Sequence, residues 1–530
     1  MTEKELRRKI LINSISNYVR LVLRLGLGLL MFRMLYPNPD ATGIRGGLSQ
    51  EEFGFWALLW SIFGYGLLMD FGFGLAAQKK VAELSHHKNW DELSRVLSTI
   101  IYFYCMSGLL IVIATLVSSH WLIQLLSITP ANEEYFRQVL VLFLCFIGAS
   151  FPTGIAVEIL YGQQRIALAN NLGVIANIIN FGLIAYGLHH GWRLKAIIVC
   201  AMMCAIVPSI IGGWMGLRSL PGVKILPRYF SWKMVRETMR FSIFAYIGLV
   251  TQIIMGQTDR LILSVFMSVS AVAVYQAGAK VADIFTGFTG QVPETISPAA
   301  AHLSATGDKG ALQRLLMDSS RFNVMVGTPL FILCAFYMEG LLHLLTKGQA
   351  FVGETFWVGE VLLLWCYSLQ ITHSITKKVF MMCGHEKRLT QLSVIEALLN
   401  LVLTVTLVLC FKSVLSVAIG SLIPSLIIGW GYLWPWAAKD AGVDGWQLAG
   451  RVLFRNWLAC LPLVVFGLAC RLVPALDFRD NTPLFLVESV VAGLIAAVGV
   501  WKWALTTEER EKILGKISKI TGRFLRRNPA

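Results

Sequence analysis

The sequence predicts an all-α polytopic membrane protein of about 14 transmembrane helices, with two six-helix lobes in a parallel internal repeat plus two extra C-terminal helices. Three observations predict this fold. Apolar residues make up 56% of the 530 residues, and charged residues only 15%. Many apolar stretches reach the roughly 20 residues that a helix needs to cross hydrocarbon. Two blocks of similar sequence lie roughly 220 residues apart, as expected of a duplicated lobe.

The apolar stretches follow one another with short polar connections. None of these connections is long enough to fold as a separate soluble domain. The predicted spans are 12–36, 53–78, 97–119, 138–160, 167–188, 194–217, 240–267, 270–297, 322–344, 356–377, 389–411, 413–435, 452–474 and 483–505.

The positions of Lys and Arg support this number of spans and give their orientation. With the N-terminus inside, the inner segments hold about four basic residues for each one in the outer segments. Omitting one span would scramble this alternation, so the bias predicts that both termini are cytoplasmic. It also accounts for the net charge of +15, so we expect no nucleic acid as a partner. The basic N-terminus precedes no small-residue cleavage site, so we expect no signal peptide.

The repeat divides the chain. The sequence pairs Val81–Ser85 with Ala300–Ser304, and Tyr161–Arg165 with Cys383–Lys387. Since each copy holds an even number of spans, both enter the membrane with the same orientation. The predicted segments are an N-lobe with spans 1–6 (1–217), a cytoplasmic linker (218–240), a C-lobe with spans 7–12 (241–440), spans 13 and 14 (441–505) and a basic amphipathic cytoplasmic tail (506–530).

Ionisable residues lie deep in the spans, where each central Arg or Lys costs about 2.5–3.5 kcal/mol. Most of them fall on spans 1, 2, 7 and 8, which are equivalent pairs of the two lobes. One explanation is internal ion pairing, of Arg20 or Arg24 with Asp70 and of Lys280 with Asp259 or Asp283. The other is a hydrated basic cleft between the lobes, which the distribution favours. The residues are Arg20, Arg24, Asp70, Asp259, Arg260, Lys280, Asp283 and, in span 11, Glu396.

The sequence contains none of the usual patterns of a catalytic or metal site. The ten cysteines lie almost entirely in or at the ends of apolar spans, and none has the spacing of zinc ligands. There is no nucleotide-binding loop and no nucleophilic triad. We therefore expect no catalytic residue, no metal and no cofactor.

Five segments within the first 440 residues or so resemble a known family. They are similar to the polysaccharide flippases, the O-antigen and exopolysaccharide repeat-unit translocases of the multidrug/oligosaccharidyl-lipid/polysaccharide exporter superfamily. A first outer loop at Pro37–Gln50 is longer than is usual in this family. The segments are Tyr18–Leu30, Phe53–Leu84 with its Met-Asp-Phe-Gly-Phe-Gly core, Leu160–Arg165, Asp259–Tyr275 and Gly384–Asn400.

The resemblance implies two lobes in a V around a central cationic cavity, which alternates between the two sides of a bacterial inner membrane. It implies that an undecaprenyl-diphosphate-linked oligosaccharide moves from the cytoplasmic to the periplasmic leaflet for lipopolysaccharide or exopolysaccharide synthesis. Further partners would be membrane lipids, H⁺ or Na⁺, and a polysaccharide polymerase with its export machinery. The residues that the resemblance implies for cargo binding or ion coupling are Arg20, Arg24, Asp70, Asp259, Arg260, Lys280 and Asp283. From their charges we expect Arg20, Arg24, Arg260 and Lys280 to bind the diphosphate. The candidates for ion coupling, from their placement, are Asp70, Asp259, Asp283 and Glu396.

Three other functions stay open at this point. A lipid II flippase of the same superfamily would differ only in its cargo. A cation-coupled drug antiporter would need a cavity rich in carboxylates and aromatic rings, whereas the predicted one has a strong basic component. A membrane glycan polymerase would normally need a large periplasmic loop with catalytic residues, and every outer loop here is short, so we expect that the protein is not an enzyme.

Overall fold

In this computed structural model, residues 20, 22–37, 47–241, 243–348, 353–473, 481–511 and 514–515 are described, and every regular element among them is helical. The helices are α1 (22–35), α2 (Gln50–Gly66), α3 (Phe73–His86), α4 (Trp90–Leu125), α5 (Glu133–Gly162), α6 (Ile166–His189), α7 (Leu194–Arg218), α8 (Trp232–Phe241), α9 (Ile243–Phe266), α10 (Val269–Thr289), α11 (Gln291–Thr306), α12 (Lys309–Phe336), α13 (Met338–Thr346), α14 (Glu354–Leu369), α15 (Ile375–Met382), α16 (Glu386–Phe411), α17 (Leu415–Ile428), α18 (Trp434–Asp440), α19 (Gly445–Ala449), α20 (Arg455–Ala459), α21 (Leu461–Leu472) and α22 (Thr482–Gly499).

The chain is a multi-pass α-helical membrane protein. Within the described residues, nine helical stretches are long and apolar enough to cross a membrane. The pair Gly445–Ala459 and Leu461–Leu472, bent by 46°, makes ten if it is one span. The predicted spans outside this set include the charged helices α1, α9 and α10, so the total of about 14 stays a prediction.

The structure divides into two compact units, and both are discontinuous in sequence. Each has a core of its own. In unit 1, side chains of α3, α4 and α5 pack around Phe73, Leu97 and Ile159, which are fully buried. In unit 2, α21 and α22 pack on α12, so spans 13 and 14 belong to this core. The predicted lobes follow the repeat and not these units, so their boundaries stay a prediction. Unit 1 holds Met1–Ala277, Leu345–Gln349 and Ser393–Gly420, and unit 2 holds Gly278–Leu344, Ala350–Leu392 and Ser421–Ala530.

Two predicted spans are broken helices, which corrects their boundaries. Span 53–78 consists of α2, a 3-10 turn and the start of α3, with Phe71 and Gly72 in the left-handed region at φ +49° and +81°. Span 270–297 is interrupted at Gly290, between α10 and α11. Because the apolar composition continues across both breaks, hydropathy does not show them.

Turns between equivalent helices have the same local geometry in the two copies of the repeat. Lys88, between α3 and α4, and Gly307, between α11 and α12, both have left-handed backbones, with φ of +54° and +72°. The residues that follow them, Asn89 and Asp308, cap the next helix by accepting a backbone N–H bond three residues on. Both copies therefore have the same order of elements: a helix, a break, a short helix, a left-handed turn and a capped long helix.

The second pairing made on the sequence is wrong. It sets Gly162 opposite Gly384, but the left-handed residue that matches Gly384 (φ +83°) is Gln164 (φ +59°). Gly162 is a packing position at the end of α5, where a Cβ would lie 2.7 Å from the carbonyl oxygen of Gln78. The two glycines serve different purposes, so matching them by residue type misplaces the alignment.

The predicted linker is packed along α4. The hydroxyl of Ser94 accepts a hydrogen bond from the backbone N–H of Lys224 at 2.9 Å. The hydroxyl of Thr99 accepts one from the backbone N–H of Ser231 at 3.2 Å. Val235 of α8 is buried in the core of unit 1. The linker is thus a fixed part of unit 1.

We expect Thr99→Val to loosen this linker. Thr99 is fully buried, and the change would leave the N–H of Ser231 without its acceptor, at about 1–3 kcal/mol. The matched control is Thr115→Val, since the Thr115 hydroxyl bonds only within α4, to the carbonyl of Ile111 at 2.7 Å. Thermal unfolding in detergent and limited proteolysis should both separate the two variants. Equal melting temperatures and equal cleavage between residues 220 and 231 would contradict this account.

The segment after α22 is fixed to α12. Glu509 accepts from the backbone N–H of Thr506 at 2.8 Å, and its carboxylate pairs with Arg321. Arg321 also donates to the carbonyl of Ala504 at 3.2 Å. Most of the predicted amphipathic tail lies outside the described residues, as do residues 1–19 and residues 38–46 of the predicted first outer loop.

Candidate functional site in the membrane

Arg20 and Arg24 of the first predicted span have no carboxylate partner among the described residues. Arg20 donates to the side-chain oxygen of Asn170 at 2.8 Å and to the hydroxyl of Tyr161 at 3.2 Å. Arg24, one turn further, is exposed. Among the described residues no acidic oxygen lies within 4.0 Å of either guanidinium. The described residues therefore do not show the ion pair with Asp70 that was one explanation for these charges.

Asp70 lies at the helix break in another polar cluster. Its Oδ1 accepts from the hydroxyl of Tyr104 and from the backbone N–H of Gly74 at 3.2 Å. A Cβ on Gly74 would lie 3.4 Å from both this oxygen and Cγ of Glu158. The left-handed turn at Phe71 and Gly72 therefore brings Asp70 next to a second carboxyl group, on α5.

Asp259 and Arg260 form a third polar cluster, between α9 and α10. Asp259 is 1% exposed, and its Oδ2 accepts from the hydroxyl of Tyr275 at 2.6 Å. Arg260 donates through Nε to Oε1 of Gln276 at 2.6 Å and through Nη1 to the carbonyl of Gly256 at 2.9 Å. The guanidinium carbon is 5.7 Å from the centre of the Tyr275 ring, within the range of a cation–π contact. Arg260 is thus oriented by neutral groups.

The remaining predicted residues lie on α10 and α16. Lys280 is half-buried and Asp283 is exposed, and their spacing puts them on one face of α10. Both belong to unit 2, whereas the three clusters above belong to unit 1. Glu396 is fully buried in unit 1, one turn before Asn400, whose amide donates to the carbonyl of Gly420 at 3.4 Å.

Unit 1 also contains a close contact between the predicted outer ends of spans 2, 3 and 7. Gly54 of α2 packs on Val269, where a Cβ would collide with the carbonyl oxygen of Val269. The backbone N–H of Ser127 donates to the carbonyl of Ser264 at 2.8 Å. At this end the first predicted lobe meets the start of the second with no space between the backbones.

Helices α2 and α9 are in contact further along. The hydroxyls of Tyr65 in α2 and Thr258 in α9 are hydrogen-bonded. The rings of Phe71 and Tyr246 stack with centroids 5.1 Å apart. The α2–α9 contact therefore runs from the predicted outer end to the helix break.

Lys347 caps the C-terminal end of α1. Its ammonium donates to the carbonyls of Tyr36 at 2.8 Å and Met34 at 3.3 Å. A cation at the C-terminus of a helix is favourable because the last carbonyls have no partner within the helix. Burial and, after it, the charge of Arg33 lower the pKa of Lys347. In the predicted topology Lys347 is one of the few basic residues of the outer segments.

The neutral partners of the charges were missed on the sequence. They are Tyr104, Tyr161, Asn170, Tyr275 and Gln276. Each is a polar residue on an apolar span, but the pattern does not tell which of many such residues touches an arginine or an aspartate. One signal was available: Tyr275 and Gln276 are neighbouring polar residues near the start of the helix that follows Arg260.

The chain is similar to proteins of polysaccharide synthesis. A family model described as "Polysaccharide biosynthesis protein" matches residues 48–350. An uncharacterized membrane protein, MJ1068 of Methanocaldococcus jannaschii, is 22% identical over 340 residues, which are 63% of this chain and 63% of that protein.

Solved transporters share the fold. A lipid II flippase, MurJ, in an inward closed conformation has a TM-score of 0.70 at 16% identity, over 92% of this chain and 98% of that one. An inward-facing multidrug resistance transporter of the MATE family and MOP superfamily has a TM-score of 0.65 at 14% identity, over 79% and 94%. A MOP superfamily transporter from Pyrococcus furiosus, whose binding pocket is described as reversed in polarity, has a TM-score of 0.54 at 13% identity, over 82% and 93%.

Proposed function

Since the chain belongs to the polysaccharide biosynthesis protein family, whose model covers residues 48–350, we propose that it is a flippase for an undecaprenyl-diphosphate-linked oligosaccharide. The cargo would move from the cytoplasmic to the periplasmic leaflet of a bacterial inner membrane, for assembly of a cell-surface polysaccharide. The transporters that share its fold support movement of a molecule across the bilayer, and the family supports a glycan as its cargo.

One observation supports the choice of an anionic cargo: among the described residues, three arginines of unit 1 have no carboxylate at ion-pair distance. Arg20 and Arg260 are held by amide, hydroxyl and carbonyl oxygens, and Arg24 is exposed. Neutral acceptors orient a guanidinium without neutralising it, so the group can bind the two phosphates of the cargo by charge-assisted hydrogen bonds.

The carboxylates supply the candidates for coupling to an ion gradient. Asp70 and Glu158 lie close together, and Asp259 is buried beside a tyrosine hydroxyl. With Asp283 and Glu396 they are groups whose charge can change when a proton or Na⁺ binds, and a change of buried charge shifts the balance between two conformations. Arg24 on span 1 and Lys280 on span 8 are the cations whose removal tests binding of the diphosphate.

The test is flipping in proteoliposomes with defined lipid-linked sugars. We expect a fluorescent undecaprenyl-diphosphate oligosaccharide to become accessible to an impermeant glycosidase on the far side. Arg24→Ala and Lys280→Ala should each slow it at least about tenfold, the loss expected from one charge-assisted hydrogen bond of about 1.5–3 kcal/mol. Lys309→Ala, which removes an exposed cation at the start of α12, is the matched control.

Two results would replace this proposal. Movement of lipid II and not of the oligosaccharide lipid would make the protein a lipid II flippase. Movement of an organic cation, with no flipping of either lipid, would make it a drug antiporter. Equal rates in the parent and both alanine variants would remove these two residues from the cargo site.

A further inference from the structure

A groove on the membrane-facing side of α4 is independent of the charged clusters above. Its volume is about 360 Å³. One wall is α4 and the other is the linker segment that leads to α8. It is lined by Tyr102, Cys105, Met106, Leu109, Pro227 and Phe230.

The groove lies where α4 enters the hydrocarbon. The helix has 36 residues and is about 54 Å long, against a hydrocarbon core of about 30 Å. Its first turns carry Asp91, Glu92 and Arg95 and are polar, whereas the lining residues follow in the apolar part. Met106 and Leu109 are 48% and 60% exposed. A groove with this lining at this depth is suited to a hydrocarbon chain, not to a polar ligand.

Basic side chains of the linker stand beside the groove. Between the end of α7 and Glu237 the linker has four exposed cations and one exposed acid, Glu237 itself. Trp232, at the start of α8, is 59% exposed, as is common where a helix lies at the membrane interface. The cations are Lys224, Arg228, Lys233 and Arg236.

The groove is built before any ligand arrives. The linker is fixed to α4 by Ser94, Ser98 and Thr99, each of which accepts a hydrogen bond from a linker backbone N–H at 2.9–3.2 Å. Its two walls therefore do not need to be ordered on binding, which removes a cost that a flexible segment would have. The volume holds about twelve groups of methylene size, at roughly 30 Å³ each.

We propose that this groove and the linker cations form a binding site for an anionic phospholipid of the inner leaflet. One acyl chain lies in the groove, and the headgroup phosphate is bound by Arg228, Lys233 and Arg236. The predicted inside position of the linker places these cations at the leaflet in which anionic headgroups attract basic segments. The site fixes the linker to the membrane at the junction of the two copies of the repeat.

The experiment uses the full chain in nanodiscs that contain phosphatidylcholine with a small fraction of photoreactive lipid. The probe is phosphatidylglycerol with a diazirine in its acyl chain, and the same acyl chain on phosphatidylcholine is the comparison. We expect mass spectrometry to place the phosphatidylglycerol adducts on residues 102–109 and 227–230. The triple variant Arg228→Ala/Lys233→Ala/Arg236→Ala should reduce them at least about fivefold.

Two further variants keep the result interpretable. Lys88→Ala/Lys309→Ala/Arg314→Ala removes three exposed cations elsewhere on the predicted inner side and should leave the adducts unchanged. Met106→Trp fills the groove and should remove the adducts on both walls. The proposal is overturned if the adducts lie elsewhere, if the two lipids label the groove equally, or if both triple variants behave alike.

Discussion

Arg260→Ala should reduce flipping of the diphosphate-linked lipid by about 10- to 100-fold. A charge-assisted hydrogen bond contributes about 1.5–3 kcal/mol, and every 1.4 kcal/mol is a factor of ten. Because Gln276 and the carbonyl of Gly256 take two of its N–H groups, the guanidinium presents its remaining donors in a fixed direction. Arg260→Lys keeps the charge but not the planar fork, so its rate should be intermediate.

Gln276→Leu tests the positioning role of the glutamine. It leaves Arg260 charged but removes the acceptor at 2.6 Å, so we expect a smaller loss, of about tenfold or less. The matched control is Arg218→Ala, which also removes an arginine lying over an aromatic ring, here Trp214 with its centroid 5.2 Å away. Arg218 is exposed at the end of α7, and its loss should leave flipping unchanged.

A change of cargo distinguishes binding of phosphate from a structural role. With a lipid that carries a single phosphate, the difference between the parent and Arg260→Ala should shrink, because one of the groups that the arginine binds is absent. If Arg260→Ala is equally impaired with both lipids and melts at a lower temperature, Arg260 serves the fold and not the cargo.

The helical fold could be predicted because it depends on the length of the apolar stretches, which is a local property of the sequence. The helix break at Asp70 could not. Phe71 and Gly72 are compatible with a continuous apolar helix, and only the packing of α3 on α4 and α5 decides that the chain turns there. Hydropathy averages over the residues that make the break.

Residue types also fail to identify which single residues are equivalent in the two copies of the repeat. Gln164 and Gly384 have the same left-handed backbone, as do Lys88 and Gly307. A left-handed residue is usually glycine because other residues have a Cβ clash there, but in each pair only one copy has the glycine. An alignment by residue type then pairs Gly384 with Gly162, a glycine that is needed for close packing.

Only part of the candidate site could be predicted from the sequence. Each charged residue could be named from the sequence, because a charge in an apolar span is rare. Their partners could not, because a helix presents several polar residues and sequence spacing does not say which neighbour each one meets. An arginine partner for Asp70 was one of the two explanations, whereas the structure gives it Tyr104 and a nearby carboxyl group.

Gly54→Leu should also slow flipping strongly, because the added side chain prevents closure at the predicted outer end of unit 1. Transport by alternating access requires this end to close while the other opens. At Gly54 the neighbour is the backbone carbonyl of Val269, which cannot rotate away as a side chain would. Inserting a side chain there costs about 1–3 kcal/mol or more, and this penalty applies to the closed state alone. We expect flipping to fall at least about tenfold.

The closed state has a second reporter at Ser264, which is fully buried and whose backbone carbonyl accepts from the N–H of Ser127. In a Ser264→Cys chain, labelling by an impermeant thiol reagent from outside should rise when Gly54→Leu is added, relative to the native cysteines. The matched control is Gly182→Leu in α6, where a Cβ meets no atom within 4 Å. This change should alter neither flipping nor labelling.

If Gly54→Leu flips lipid as fast as Gly182→Leu, the α2–α9 contact is a static contact and not a gate. If flipping falls but labelling at residue 264 stays constant, the defect lies elsewhere than at the outer end. The combination of slow flipping and higher labelling is what an outer gate requires, because only a gate links the closure of this contact to the movement of the cargo.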